Sequence, residues 1–198
     1  MTLILASNNA HKLREFREML ADTGIELLSQ SEAGLSLNVD ECGETFAENA
    51  YLKAIAVTRA AGLPAVADDS GLVVDALDGA PGVRSARYGG SHDQSDEYRR
   101  NLLLKNMQGE QNRAARFVCA ICCTFPDGTV LRSEGVCEGK ILYEPRGADG
   151  FGYDPIFEAA GTGKSMAELS SGEKNAISHR GAALRQFLDE LRRPHAYQ

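Results

Sequence analysis

The sequence has no apolar run long enough to cross a bilayer as a helix, so no helical membrane span is expected. It has no surplus of basic residues either. Lys and Arg total 21 against 28 Asp and Glu, a formal charge of −7, which argues against a protein that tracks a nucleic-acid backbone. An anionic ligand would need a local basic pocket instead. The five cysteines, Cys42, Cys119, Cys122, Cys123 and Cys137, are an odd number, and no charged-then-apolar leader precedes Leu3-Ile4-Leu5; free thiols in a reducing cytoplasm are expected. Cys119-x-x-Cys122 has no second Cys-x-x-Cys to complete a zinc site, and Phe117 to Phe125 reads as a buried strand, so these are core cysteines. There is no internal repeat, and no Ser-His-Asp or Cys-His pattern signals a covalent nucleophile.

What is present is an ordinary α/β composition, 43% hydrophobic and 25% charged. The 198 residues are read as a single domain over 1–198, with or without two lobes, large enough to bury roughly 70% of its unfolded surface. The stretch Ala65-Val66-Ala67-Asp68-Asp69-Ser70-Gly71-Leu72-Val73-Val74 runs an apolar segment into two adjacent carboxylates, then a hydroxyl, a glycine and a second apolar segment. Apolar runs bounded in this way read as buried strands, with the aspartates at the rim of a sheet. Two like charges side by side in a partly buried site repel, so one takes up a proton or a cation completes the pair. A hard divalent metal would do so; an Asp-Asp turn with an Asx-type bond near Gly71 is the plainer alternative.

Around this stretch the chain alternates strands and helices. Thr2 to Ala6 is a short strand that leads through Ser7-Asn8-Asn9 into a helix with Leu13, Phe16, Met19 and Leu20 on one face and Asn9 as its N-cap. A helix start carrying hydroxyl, amide and lysine side chains suits an anion; a plain turn with a solvated Lys12 remains open. Ile25 to Ser29 is a second strand. Asp40-Glu41 is a second acidic pair, and Thr45-x-x-Glu48 is a capping box opening a helix with the stripe Phe46, Ala50, Ala54, Val57 and Ala61. Lys53 falls inside that stripe, about 20° from Phe46 at 100° per residue. A helix over Ser95 to Met107 is followed by strands at Arg116 to Phe125 and Thr129 to Glu138, joined by Pro126-Asp127-Gly128. The glycine-rich Gly147 to Pro155 holds two aromatics and reads as a phosphate cradle or a base-stacking platform. A turn at Ala167-Glu168-Leu169 precedes a final helix with Ser178 as N-cap, in which Arg180 shares the apolar face with Ile177, Leu184, Leu188 and Leu191; Pro194 to Gln198 is a tail expected to fray. The acids Asp40, Glu41, Asp68 and Asp69 and the cations Lys12, Lys53, Lys174 and Arg180 gather at element ends, the combination a metal-chelated polyphosphate needs.

These residues also resemble a known family. Ser7-x-Asn9-x-x-Lys12, Gly43-x-Thr45-Phe46-x-Glu48-Asn49-Ala50-x-x-Lys53-Ala54, Ala67 to Leu72, Gly82-x-x-Ser85-Ala86-Arg87-Tyr88, Phe151-Gly152-Tyr153-Asp154-Pro155 and Glu173 to Gly181 are similar to blocks of the inosine triphosphatase, or Ham1-like, pyrophosphatases, in family order over nearly the whole chain. The resemblance implies an elongated mixed central sheet flanked by helices, in two lobes with an active-site cleft between them, and a cytoplasmic homodimer. It implies hydrolysis of the non-standard purine nucleotides ITP, dITP and XTP to monophosphate and pyrophosphate, dependent on Mg2+ with Mn2+ as a possible substitute. Carried over by position, Ser7, Asn8, Asn9, Ala10, His11 and Lys12 form a phosphate loop and Lys53 a further phosphate contact. Asp69 becomes the general base and a metal ligand, with Asp40 or Glu41 as the second metal carboxylate. Ser70 contacts substrate, Phe151, Gly152, Tyr153 and Asp154 hold the base, and Lys174, His179 and Arg180 close over base and phosphates. Donors such as His179 and Arg180 would pair with a 6-oxo purine and oppose the 6-amino group of adenine. Two other readings stand beside this one: a Maf-type pyrophosphatase of pyrimidine or modified nucleotides, and a nucleotide-binding module without catalysis.

Overall fold

The computed structural model describes residues 1–90 and 94–193. The expected fraying of Pro194 to Gln198 lies outside these residues. Six strands form one mixed sheet in the order β2-β1-β3-β4-β5-β6: β1 (Thr2–Leu5), β2 (Glu26–Ser29), β3 (Ala65–Val74), β4 (Ala114–Thr124), β5 (Val130–Ile141) and β6 (Phe157–Ala159). β1 pairs in parallel with β2 and with β3, while β5 and β6 are antiparallel. The helices are α1 (Ala10–Leu20), α2 (Phe46–Ala61), α3 (Asp96–Asn106), α4 (Ser171–Ile177) and α5 (His179–Arg192). An α/β architecture with a mixed, helix-flanked sheet is thus present. No helix among the described residues is long and apolar enough to cross a membrane.

Contacts divide the chain into two compact units, each assembled from separated segments, so neither is a contiguous sequence domain. The first comprises residues 1–69, 119–135 and 180–198. One of its cores joins Leu3, Leu5, Phe16 and Leu20 to Val66, Cys119, Ile121, Leu184 and Phe187; another packs the α2 stripe Ala50, Ala54 and Val57 on Ile4, Ala65, Ala67 and Cys122. The second unit, residues 70–118 and 136–179, is built on Leu72, Val74, Leu103, Phe117, Tyr153, Ile156 and Phe157. All five cysteines are free, and only Cys42 is exposed. Burial pushes the Cys122 thiol up to about 11 and those of Cys119 and Cys123 higher still, as suits inert core residues.

The expected rim position of the aspartates needs correction. Ser70-Gly71 does not end the strand: β3 continues through ten residues, and Asp68 and Asp69 lie in its middle. Its neighbour β1, however, stops at Leu5 opposite Val66, so the acids begin two residues past the last paired position. The short β6 and helix α4 have no counterpart in the sequence reading. β6 has three residues, too few for a visible alternation, and α4 is set by a capping box of Ser170 and Glu173 rather than by an apolar stripe.

Candidate active site

The carboxyl end of β1 delivers Ser7, Asn8 and Asn9 to the start of α1. Asn9 is the N-cap, and its Oδ1 accepts the N–H groups of His11 (2.9 Å) and Lys12 (3.2 Å). Two of the donors an anion would use are therefore held by the helix's own cap, and a phosphate would have to compete with that side chain. Asn8 turns toward the chain after β2, donating to Leu37 O at 3.3 Å and accepting from Gln30 Nε2 at 3.1 Å. His11 is exposed and bonds Arg14 through Nδ1. Lys12 instead reaches Asp68, 3.0 Å from its Oδ2.

Asp68 is 0% exposed, and its Oδ2 collects three cationic donors: Lys12 Nζ, Arg180 Nε at 3.1 Å and Arg180 Nη2 at 2.9 Å. Arg180, 2% exposed, is the largest fully buried side chain described, and its Nη1 donates to Glu15 Oε2 at 2.5 Å. Burial alone would raise the Asp68 pKa, but Lys12 and Arg180 outweigh it and hold the carboxyl far below the usual range. The same burial disfavours charge on Arg180, and Asp68 and Glu15 reverse that, raising its pKa. The cation on the apolar face of α5 is thus explained by partners rather than by its stem reaching water. Glu15 is a partner that the sequence does not single out, since a glutamate three residues after Lys12 on a charged helix face is ordinary.

Asp69, one residue on, has a different environment. Lys53 Nζ donates to its Oδ1 at 3.2 Å and to Glu41 Oε1 at 2.7 Å, while buried Asn49 donates to Asp69 Oδ2 at 3.2 Å. Asn49 Oδ1 accepts the Gly43 N–H at 2.8 Å, which settles the orientation of its amide. Gly43 lies so close to the first turn of α2 that a side chain there would collide with Glu48 and Asn49. Burial raises the Asp69 pKa, Lys53 and Lys12 pull it down, Glu41 pushes it up, and the net shift is upward. Lys53, disfavoured by burial, is raised overall by Asp69, Asp68 and Glu41. The pKa values of the neighbouring carboxyls are thereby pushed apart, Asp68 downward and Asp69 upward.

Glu41 and Asp69 converge on one ammonium, so cationic charge belongs between them. Their donors are hard oxygens, and no group of three His, Cys, Asp or Glu side chains gathers among the described residues. A Mg2+ ion takes one or two carboxylates and fills its octahedron with water and phosphate, so these residues fit it. Asp40 is exposed; its carbonyl accepts the Cys42 N–H, and Glu41 is the member of the pair that points to Lys53.

In the second unit the structure brings Phe151, Asp154 and Lys174 together. Asp154 Oδ2 accepts the Phe151 N–H and the Lys174 ammonium, both at 2.8 Å, and Lys174 Nζ lies 4.8 Å from the Phe151 ring centre. Gly150 (φ +76) is needed here twice, for its left-handed backbone and because a Cβ would strike Asp154. Tyr153 is buried and donates through its hydroxyl to Ser85 O at 2.9 Å; burial raises its pKa. His179 stacks on Phe117 at 4.8 Å with 13° between the planes. Phe117 was read only as strand core. Ser70 is half-buried on β3.

An α/β protein with buried lysines and arginine set against paired carboxylates, and a separate aromatic loop bearing an ammonium, has the equipment to handle a metal-chelated, ring-bearing polyphosphate. The chain matches the model of the Ham1 family over residues 3–190, and it belongs to that family. It is 48% identical to a dITP/XTP pyrophosphatase of Desulfotalea psychrophila, over 95% of this chain and 84% of that one. A dITP/XTP pyrophosphatase of an Exiguobacterium species is likewise 48% identical, over 96% and 97%. Among solved structures, a HAM1 protein from Coxiella burnetii superposes with a TM-score of 0.88 at 43% identity, covering 96% of this chain and 98% of that one. The Staphylococcus aureus Ham1 protein gives 0.86 at 39% identity over 96% and 98%.

Proposed function

We propose that this protein is a nucleoside-triphosphate pyrophosphatase that hydrolyses dITP, ITP and XTP to the monophosphate and pyrophosphate. Relatives of nearly full coverage named dITP/XTP pyrophosphatase support the reaction. The observation that carries the residue assignment is the split pair on β3: Asp68 is closed off by Lys12 and Arg180, while Asp69 shares the Lys53 ammonium with Glu41. Asp69 acts as the general base: it takes the proton of the water that attacks, the bond between the α and β phosphates breaks, and pyrophosphate leaves. Lys12 and Lys53 neutralise the triphosphate, while Asp68 and Glu15 hold Arg180 in place. When bound, Mg2+ held by Glu41 and Asp69, with Mn2+ as a substitute, would neutralise phosphate charge and acidify the attacking water. Phe151, Gly152, Tyr153 and Asp154, with Lys174 and His179, hold the base, their donors favouring a 6-oxo purine; Ser70 contacts substrate.

The reading includes a homodimer in the cytoplasm, acting on small-molecule nucleotides rather than on nucleic acid or membranes; the charge of −7 supports a partner other than nucleic acid, and the free cysteines support a reducing compartment. Purified protein, Mg2+ and a panel of ITP, dITP, XTP, dTTP, UTP and ATP, with pyrophosphate and phosphate read separately, tests it. Pyrophosphate from the first three in preference to the others is expected. Cleavage confined to pyrimidine nucleotides, or saturable ITP binding without product, would overturn it. Equilibrium sedimentation tests the dimer.

A further inference from the structure

Helix α3 has no part in the mechanism above, yet its first two turns hold one residue of the aromatic loop, Gly152, by the peptide groups on either side of it. Asp96 Oδ2 accepts the Gly152 N–H at 2.7 Å, and Arg100 Nη1 donates to Gly152 O at 2.8 Å. Residues four apart on a helix stand over one another, so a carboxylate and a guanidinium in this order offer an acceptor and a donor to a single residue's N–H and C=O. Asp96 is itself held in place: Arg99 Nη2 donates to its Oδ1, and Arg99 Nη1 donates to Ala86 O at 3.1 Å and Gln94 O at 2.6 Å. Burial pushes the Asp96 pKa up, but the Gly152 N–H and Arg99 outweigh that and keep it below the usual carboxylate value.

Steric packing does not define the loop at this point. A Cβ on Gly152 would meet nothing within 4 Å, and the residue stands at φ +60. A glycine in open space has many cheap conformations, so the two charge-assisted bonds select one of them. The same residue links Phe151, whose ring faces Lys174, to buried Tyr153.

We infer that Asp96 and Arg100 are positioning residues for base recognition: by gripping Gly152 they set the aspect that Phe151 and its peptide present to the purine. The inference rests on the assignment of Phe151 to Asp154 to the base. It predicts a loss in binding and discrimination rather than in turnover. The test is steady-state kinetics of the full chain with Mg2+, on ITP and ATP, for Arg100→Gln and Asp96→Ala, with Arg100→Lys and Asp96→Asn as variants that keep a donor and an acceptor. Loss of one charged hydrogen bond should raise KM for ITP about tenfold and lower the ITP-over-ATP ratio of kcat/KM by a similar factor, with kcat within about threefold. The conservative pair should show the same pattern at reduced size, a rise of about threefold in KM for ITP, because each keeps a hydrogen bond but shortens the donor or removes the charge; a loss of general stability would not produce this grading. Should the first pair melt below the assay temperature, the conservative pair decides alone, a several-fold rise in KM for ITP supporting the inference. Folded variants with wild-type KM and selectivity overturn it, as do equal losses on ITP and ATP through kcat. A wild-type protein that releases no pyrophosphate from ITP removes the functional reading beneath it, an outcome distinct from unchanged variants of an active enzyme.

Discussion

The two units solve opposite problems with buried charge. In the first, three cations, Lys12, Lys53 and Arg180, face four carboxylates, Glu15, Glu41, Asp68 and Asp69, leaving one negative charge in excess. In the second, Lys174 and Asp154 balance one to one beside an aromatic ring. The unbalanced cluster carries uncompensated negative charge; the balanced one sets its ion pair against an aromatic ring. In the proposed function the former is assigned to hydrolysis and the latter to base recognition.

The sharpest way to break that contrast is Asp69→Asn, which should cost two to four decades of kcat on ITP while nucleotide binding persists, as rate and equilibrium-binding measurements will show. Near-normal turnover would remove Asp69 from its role. Next, Asp68→Ala should cost about 3–5 kcal/mol in chemical denaturation, because it leaves Arg180 and Lys12 without their buried anion. Lys174→Met belongs to the other side of the comparison: KM for ITP should rise by about tenfold, with the smaller change in kcat.

The pH dependence of stability is a subtler test. Asp68 has a folded pKa below its unfolded one, so its contribution is fully present above about pH 4 and is lost as the pH falls further. Acid denaturation of Asp68→Asn should therefore show a flatter loss of stability below pH 4 than wild type. The smallest effect is expected for Phe151→Leu. It removes the ring beside Lys174, an interaction of roughly 0.5–2 kcal/mol, and a few-fold rise in KM would register it.

Most of the first unit's chemistry was readable because its residues break local rules. A lysine inside an apolar stripe, an arginine on the buried face of α5 and two adjacent aspartates in a hydrophobic stretch are each costly unless they meet. Glu15 broke no rule, since a glutamate on a charged helix face is ordinary, and so its bond to Arg180 was not legible. Phe117 was hidden for the same reason, as an aromatic in an apolar strand. The strand break expected at Ser70-Gly71 failed because a single glycine only weakens a strand that neighbours continue to pair.

By itself the sequence determined the alternation of strands and helices, the capping boxes, the free core cysteines and the set of residues too costly to bury alone, because propensity, periodicity and desolvation act over short spans of chain. Which charge meets which was decided only by the tertiary structure. Lys12, Asp68 and Arg180 are brought together from three distant segments, and the two cations hold the Asp68 pKa down while burial raises that of Asp69 beside it.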